Sequence, residues 1–304
     1  MTGLPASDKR GKPVAGEDVL MDKTRLDGQV AIVTGGGAGI GRAIALALAE
    51  RGADVAIAEV IPERADEAAA RIRETGRTAL PIVTDVSDVA AVRDMVAAVD
   101  AQFGRIDILV NNAGGVRSRP FLDQNERNWE RIINLNLVSM LAATHAVVPV
   151  MIRGGRGGAI LNVSSIEGSR AAPTYSVYAA CKAGMNNFTR TMALELAEHR
   201  IRINAIAPDH TVTPGIRGNA AGPVDESTWI KMTPEMQAAV NRGIPLDRTG
   251  IPEECGDAAV FLCSAMSAYV TGTIMPVDGG TWASSGWTRT AEGKWTLNQG
   301  LPTI

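Results

Sequence analysis

Residues 30–52 read VAIVTGGGAGIGRAIALALAERG: a short β-branched run, a glycine cluster, then an apolar helical stretch that stops at Gly52. Strand, glycine turn and helix in that order decide the fold. A glycine turn that opens a helix lets backbone N–H groups approach a pyrophosphate, and the helix N-terminus favours its negative charge. The spacing is Thr34-Gly35, three residues, then Gly39, Ile40 and Gly41, which is not the common G-x-G-x-x-G fingerprint. A glycine cluster alone is equally a plain tight turn. Its place between an apolar strand and a helix, with ADVAIAEV at 53–60 as a second strand, favours the nucleotide. Glu59 closes that second strand, where an acid is expected to accept hydrogen bonds from the adenosine ribose; the alternative is a solvated charge at a strand end. Its carboxylate would repel a 2′-phosphate, and no Arg or Lys directly follows it or occupies the glycine turn, so NAD is expected over NADP.

Outward from this unit the rhythm continues. A helix is expected over 62–75, a strand over 79–86 ending at Asp85-Val86, a helix over 88–103 and the strand RIDILVNNAGG over 105–115. A long apolar helix at 128–152 follows, then the strand GGAILNVSS at 157–165, a helix to about 199, a strand at 200–208, a helix at 252–266 and a last strand at 272–280. This alternation implies an α/β fold: a single-domain, Rossmann-type doubly wound parallel sheet with helices on both faces and right-handed crossovers. Ligands of such sheets sit beyond the carboxyl ends of the strands, where Gly35, Glu59, Asp85 and Asn112 fall. Asn136 lies inside the long apolar helix, where an amide needs a partner; capping a kink and holding a water near the site both remain open. No linker or repeat divides the chain. It reads as a polar arm at 1–27, one dinucleotide-binding catalytic domain at 28–280 with an irregular loop at 209–248, and a tail at 281–304. Trp282, Trp287 and Trp295 imply that the tail packs on something.

Composition narrows the classes. The 304 residues are 45% hydrophobic and 21% charged, enough for one sizeable core. Aromatics at 4% leave that core to Ala, Val, Ile and Leu, as suits a buried parallel sheet. A net charge of −3 gives no footprint for nucleic acid or an anionic membrane, and no uninterrupted run of about eighteen apolar residues marks a membrane span. Cys181, Cys255 and Cys263 have neither metal-ligand nor disulfide-framework spacing, so no metal is expected. With no leader of the secretory type at the start, a cytoplasmic home is the default.

The second informative stretch is SSIEGSRAAPTYSVYAACK at 164–182. Tyr178 and Lys182 stand one helical turn apart on the same face. A free tyrosine, with a pKa of about 10, is neutral at pH 7, whereas a nearby cation favours the phenolate. Alone, YxxxK also arises by chance as a surface Tyr and a solvated Lys.

Together these residues resemble the short-chain dehydrogenase/reductase family across 28–280: TGGGAGIG at 34–41, NNAG at 111–114, the Ser and YxxxK set, and VDGG at 277–280. The resemblance implies that Thr34, Gly35, Gly39, Ile40 and Gly41 form the pyrophosphate turn and that Glu59 selects NAD. It implies that Asp85 and Val86 flank the adenine, and that Asn112, Ala113 and Gly114 support the nicotinamide side. Ser165 then corresponds to the serine that hydrogen-bonds the substrate oxygen, with Ser164 as its neighbour, and Tyr178 to the acid/base. Lys182 lowers the Tyr178 pKa and holds the nicotinamide ribose, Asn136 keeps a relay water, and Thr213 contacts the carboxamide. Where the family has Pro-Gly, three residues, Thr, this chain has Pro208-Asp209-His210-Thr211-Val212-Thr213, so Asp209 or His210 becomes a candidate to face the substrate.

The implied activity is hydride transfer between NAD(H) and a secondary alcohol or ketone, with Tyr178 taking or returning the hydroxyl proton. The implied partners are a small-molecule substrate and further copies of the chain in a homotetramer, in which the helices of Asn136 and Tyr178 meet two-fold mates. Trp229, Met232 and Met236 recur at helical spacing in the loop at 209–248; they either cover a hydrophobic steroid, terpenoid or acyl substrate or simply pack a short helix. Two other readings stand beside this one: a non-catalytic NAD-binding or redox-sensing protein, and a sugar-nucleotide epimerase or dehydratase. The intact Asn136, Ser165, Tyr178 and Lys182 set opposes the first, and the glycine spacing the second.

Overall fold

The computed structural model describes residues 23–290 and 292–297, so nearly all of the arm expected at 1–27 and the last residues of the tail lie outside the described residues. The first half of the domain runs β1 (Val30–Thr34), α1 (Gly39–Glu50), β2 (Asp54–Glu59), α2 (Pro62–Glu74), β3 (Ala79–Val83), α3 (Val89–Phe103) and β4 (Ile108–Asn111). The second half runs α4 (Glu126–Ile133), a π-helical segment (Asn134–Val138), α5 (Ser139–Gly154), β5 (Gly158–Val163), α6 (Ser176–Glu195), β6 (Ile201–Pro208), α7 (Pro234–Asn241), α8 (Pro252–Cys263) and β7 (Ile274–Val277). The tail adds α9 (Thr281–Ser284) and the strands β8 (Thr288–Arg289) and β9 (Trp295–Thr296).

Seven parallel strands form one sheet in the order β3-β2-β1-β4-β5-β6-β7, the doubly wound arrangement read from the alternation of elements. Every residue of β1 is buried, because helices cover both faces and the strand therefore has no polar side. On one face Ile44, Leu48, Ala259 and Leu262 pack α1 and α8 against the sheet, and on the other Val92, Met95, Ala143 and Val147 pack α3 and α5. Strand order reverses between β1 and β4, so a crevice opens beyond their carboxyl ends.

The helical run Glu126–Gly154 corrects one expectation: it is long and apolar enough by length and composition to cross a membrane, with a mean hydropathy of 1.8 in its most apolar window. Part of that apolarity is used inside the domain, where Met140, Ala143, Val147 and Met151 are buried. A second correction concerns Trp229, Met232 and Met236. The helix there begins only at Pro234, so Met236 alone is helical; Thr233 caps it, its side chain accepting from the Met236 N–H, and proline at the first position sets the start. The tail is held to the body through Arg289 rather than its tryptophans: the Arg289 N–H donates to the Arg242 carbonyl at 3.1 Å and its guanidinium to the Pro245 carbonyl, while Trp282, Trp287 and Trp295 stay about half exposed.

The glycine turn is the tightest point of the fold. A Cβ on Gly41 would lie 2.1 Å from the Gly35 carbonyl oxygen and 2.4 Å from Asn112 Nδ2, and backbone cannot yield cheaply. Gly41→Ala is expected to lower stability by about 1–3 kcal/mol or more in urea unfolding; an unchanged midpoint would contradict this packing.

Candidate active site

The glycine turn is stitched to the end of β4. Thr34 Oγ1 accepts the N–H groups of Asn112 (3.0 Å) and Ala113 (3.1 Å), while Asn112 Nδ2 donates to the carbonyls of Thr34 (2.9 Å) and Gly35 (3.1 Å). Thr34 and Asn112 therefore build the turn rather than reach out of it. Helix α1 starts at Gly39 with Ala38 as its N-cap and no side-chain cap, so its first N–H groups are left for an anion. Gly35 and Gly39 take left-handed φ of +61° and +55°, and the Gly39 Cβ position would lie 3.3 Å from the Thr213 side chain. Ile40, partly buried, packs on the core beneath the turn. This cradle fits a pyrophosphate.

Glu59 is buried, and its carboxylate accepts the N–H groups of Gly37 (3.2 Å), Val60 (2.9 Å) and Ile61 (3.1 Å). A carboxylate has roughly four lone-pair sites, so about one is left for a ribose hydroxyl. Asp85, past the end of β3, spends Oδ1 on the Ser87 N–H (2.9 Å) and hydroxyl (2.7 Å), and Val86 beside it is buried.

Asn136 lies in the π segment, where the widened turn accommodates an amide that does more than cap a kink. Its Oδ1 accepts the Gly115 N–H at 3.0 Å, and its Nδ2 donates to the carbonyls of Gly115 (3.0 Å) and Ile132 (2.9 Å). The loop after β4 is thereby clamped from both sides. A Cβ on Gly114 would meet Asn136 Oδ1 at 2.8 Å and Lys182 Nζ at 3.6 Å, which shows how closely the two side chains converge.

Lys182 is buried and donates to the Val163 carbonyl at 2.7 Å, at the end of β5. Its ammonium is 5.6 Å from the centre of the Tyr178 ring. Ser164 is occupied structurally, donating to Asn186 Oδ1 at 2.6 Å, whereas Ser165 Oγ accepts the Glu167 N–H at 3.2 Å and its hydroxyl acts on the Tyr178 phenol. Geometry thus places Ser165, Tyr178, Lys182 and Asn136 together.

In the protein alone, burial pushes the Tyr178 phenol up to about 12, above rather than below its ordinary range; the Ser165 hydroxyl pulls the other way, and the charges of Glu167 and Asp209 add to the rise. Burial also depresses the Lys182 ammonium, to about 8.

Beneath the site runs a polar ladder that the sequence reading passed over. Asn111 Nδ2 donates to Asn162 Oδ1 (2.9 Å) and Thr144 (3.2 Å), and Asn162 Nδ2 donates to Thr189 (2.9 Å), joining β4, β5, α5 and α6. Asn111 and Asn162 are register partners in adjacent strands, a signal available from strand alignment alone. Asp209 follows β6; its Oδ2 has no hydrogen-bond partner and lies 3.7 Å from Arg170 and 3.6 Å from His210, whose φ of +31° is left-handed. Burial raises the Asp209 pKa. Asp209 and His210 line a cavity of about 430 Å³ with Arg248, Glu254 and Asp278. No cluster of metal-binding side chains occurs among the described residues.

A family model described as "Enoyl-(Acyl carrier protein) reductase" matches residues 35–281. The chain belongs to the short-chain dehydrogenase/reductase family. Similar members of the family include the 3-oxoacyl-(acyl-carrier-protein) reductase FabG of Thermotoga maritima, 38% identical over 84% of this chain and 98% of that protein. Galactitol 2-dehydrogenase of Agrobacterium fabrum is 39% identical over 86% of this chain and 100% of its own length. A solved short-chain dehydrogenase/reductase, 7α-hydroxysteroid dehydrogenase complexed with NADH and 7-oxo glycochenodeoxycholic acid, superposes with a TM-score of 0.78 at 32% identity, covering 91% of this chain and 98% of that one. The family binds a nicotinamide cofactor, and the glycine cradle with the uncapped start of α1 fits its pyrophosphate.

The buried ammonium has a stability consequence. The folded pKa of Lys182, about 8, lies below the ordinary 10.5, so between those values the folded state holds fewer protons than the unfolded one, and wild-type stability rises with pH across that window. Lys182→Met is expected to be more stable than wild type by about 1–3 kcal/mol at pH 7, the gap closing as pH rises from about 8 to about 10. Urea unfolding at several pH values checks this, and a variant less stable than wild type at pH 7 would contradict it.

Proposed function

We propose that this protein is an NAD-dependent alcohol dehydrogenase or ketoreductase that transfers a hydride between NAD(H) and a secondary alcohol or ketone. The observation that carries this reading is the convergence of Ser165, Tyr178, Lys182 and Asn136 at the end of β5, beside the glycine cradle. The nicotinamide supplies the hydride donor or acceptor. Gly35, Gly39, Ile40 and Gly41 seat the pyrophosphate, Asp85 and Val86 the adenine, and Ala113 and Gly114 the nicotinamide end; Thr213 reaches the carboxamide. Glu59 keeps one acceptor site for a ribose hydroxyl and opposes a 2′-phosphate. No Arg or Lys directly follows Glu59 or occupies the glycine turn, and the nearby Arg64 is spent on the carbonyls of Gly222 and Asn219. NAD is therefore favoured over NADP.

Tyr178 is a phenol by burial, the form that gives a proton to a carbonyl oxygen held by Ser165. In the oxidative direction it must ionise, and the Lys182 ammonium, 5.6 Å from the ring centre, would favour that, as would the positive charge of an oxidised nicotinamide held beside it. Lys182 has further N–H groups beyond the one bound to Val163, and these suit the nicotinamide ribose. Asn136 holds the loop at Gly115 in place and keeps the relay water.

The substrate we favour has a hydrophobic body, of steroid, terpenoid or acyl type. Exposed Ile216, Ile230 and Met236 on the loop at 209–248 support this, as does the steroid held by the related dehydrogenase. Asp209 Oδ2, which makes no hydrogen bond and is faced by Arg170 and His210, adds an acceptor suited to a substrate hydroxyl. The apolar furrow of about 670 Å³ between α3, α5 and α6, lined by Leu141, Val148, Phe188 and Met192, supports a homotetramer in which these helices meet their mates. Three free, buried cysteines agree with a cytoplasmic enzyme.

Purified protein with NAD and a panel of secondary alcohols is expected to form NADH. Tyr178→Phe is expected to lower kcat by about 10²–10⁴-fold while NAD affinity stays within about twofold. Unchanged turnover in that variant would sink the mechanism, and NAD retained stoichiometrically without exchange would favour the epimerase reading. Glu59→Ala is expected to reduce the preference for NAD over NADP about tenfold or more, read as the ratio of kcat/KM values.

A further inference from the structure

Arg64 stands in the first turn of α2, and only 7% of it is exposed. A guanidinium cannot shed its charge, so its removal from water must be compensated by specific acceptors. Two are present, and both are carbonyls of the substrate loop. Nε donates to Gly222 at 2.6 Å and Nη2 to Asn219 at 2.9 Å, across more than 150 residues of sequence, as the separations of 158 and 155 positions show.

The loop at this point is a knot wound on Asn219. Its Nδ2 donates to the carbonyls of Ala221 and Pro223, both at 3.1 Å, and its Oδ1 accepts the Asp225 N–H at 2.9 Å. The knot is continuous with Thr213, since the Arg217 N–H bonds the Thr213 carbonyl and the Asn219 N–H bonds that of Pro214. The root of Arg64 belongs to the opposite wall. A Cβ on Gly37 would lie 2.7 Å from Glu59 Cγ and 2.8 Å from Arg64 Cβ, so the glycine turn, the ribose-facing acid and Arg64 share one corner.

We infer that Arg64 is a positioning residue that latches the substrate loop, through the carbonyls of Asn219 and Gly222, to the adenosine corner, so that filling that corner steadies the loop. This rests on the cofactor reading above, which puts the adenosine ribose at Glu59. Coupling of this kind is reciprocal: nucleotide that steadies the Gly37 and Glu59 wall steadies the loop, and a loop held on substrate tightens nucleotide.

The test uses ADP as a probe of the corner and trypsin cleavage after Arg217 and Lys231 as a probe of the loop, alongside steady-state kinetics with NAD and a turned-over alcohol. In wild type, ADP is expected to slow cleavage about fivefold or more. In Arg64→Met, ADP still binds by calorimetry but no longer protects the loop, and KM for the alcohol rises about tenfold, more than kcat falls. Arg64→Lys, which can reach one carbonyl, restores part of the protection. Asn219→Ala unties the knot from the loop side and is expected to lose protection with the corner intact, which keeps the test alive should Arg64→Met fail to fold. Full ADP protection in both Arg64→Met and Asn219→Ala would overturn the latch. ADP that binds wild type without protecting the loop would also overturn it while leaving the cofactor reading standing, whereas ADP that does not bind wild type would overturn both.

Discussion

The ammonium of Lys182, buried and bonded to the Val163 carbonyl at 2.7 Å, is the interaction on which the site depends. Taking a charge out of water is costly, and replacing such a group by an apolar one often stabilises a protein. A carbonyl at the end of β5 is what makes the position tolerable, because a strand that ends there presents an acceptor with no further strand partner. The same burial raises the Tyr178 phenol and lowers the Lys182 ammonium, drawing both toward their neutral forms. The protein's own groups therefore favour the phenol form, the form that can donate a proton.

Everything else in the domain serves to hold that pair against the glycine cradle. The parallel sheet brings the ends of β1, β4 and β5 to one rim, and three sets of side-chain bonds fasten the rim. Thr34 and Asn112 tie the glycine turn to β4, Asn136 clamps Gly115 to the long helix, and the Asn111–Asn162–Thr189 ladder locks the strands to α6. Each is buried or partly buried, where a satisfied polar network specifies one arrangement and a broken one is expensive. Arg64 adds a fourth fastening, between the corner at Gly37 and Glu59 and the loop at 209–248.

Much of this was legible in the residues, and what was not has physical reasons. The alternation of strands and helices and the glycine turn led directly to a doubly wound parallel sheet, because right-handed crossovers leave few topologies. Asn136 stood out as an amide in an apolar helix, yet that it clamps Gly115 depends on a π segment that local periodicity does not reveal. Tyr178 and Lys182 were placed correctly by one helical turn, but the direction of the tyrosine's shift depends on burial, which spacing does not encode. Asp209 was visible as a departure from a pattern; its bare oxygen depends on where Arg170 and His210 come to rest. Trp229 and Met232 left the helix because Thr233 and Pro234 start it after them. Arg64 belongs to no motif, and its partners lie too far along the chain for any local reading.

On the proposed mechanism, burial keeps Tyr178 a phenol until cofactor and Lys182 together favour its ionisation. The most direct measurement is an ultraviolet titration of phenolate absorbance, wild type minus Tyr178→Phe, with and without NAD; the chain has only three tyrosines, so one step is resolvable. Tyr178 is expected to titrate near 12 in the protein alone and about two units or more lower with NAD bound. A Tyr178 step near neutral pH without NAD, or one that NAD leaves in place, would contradict it.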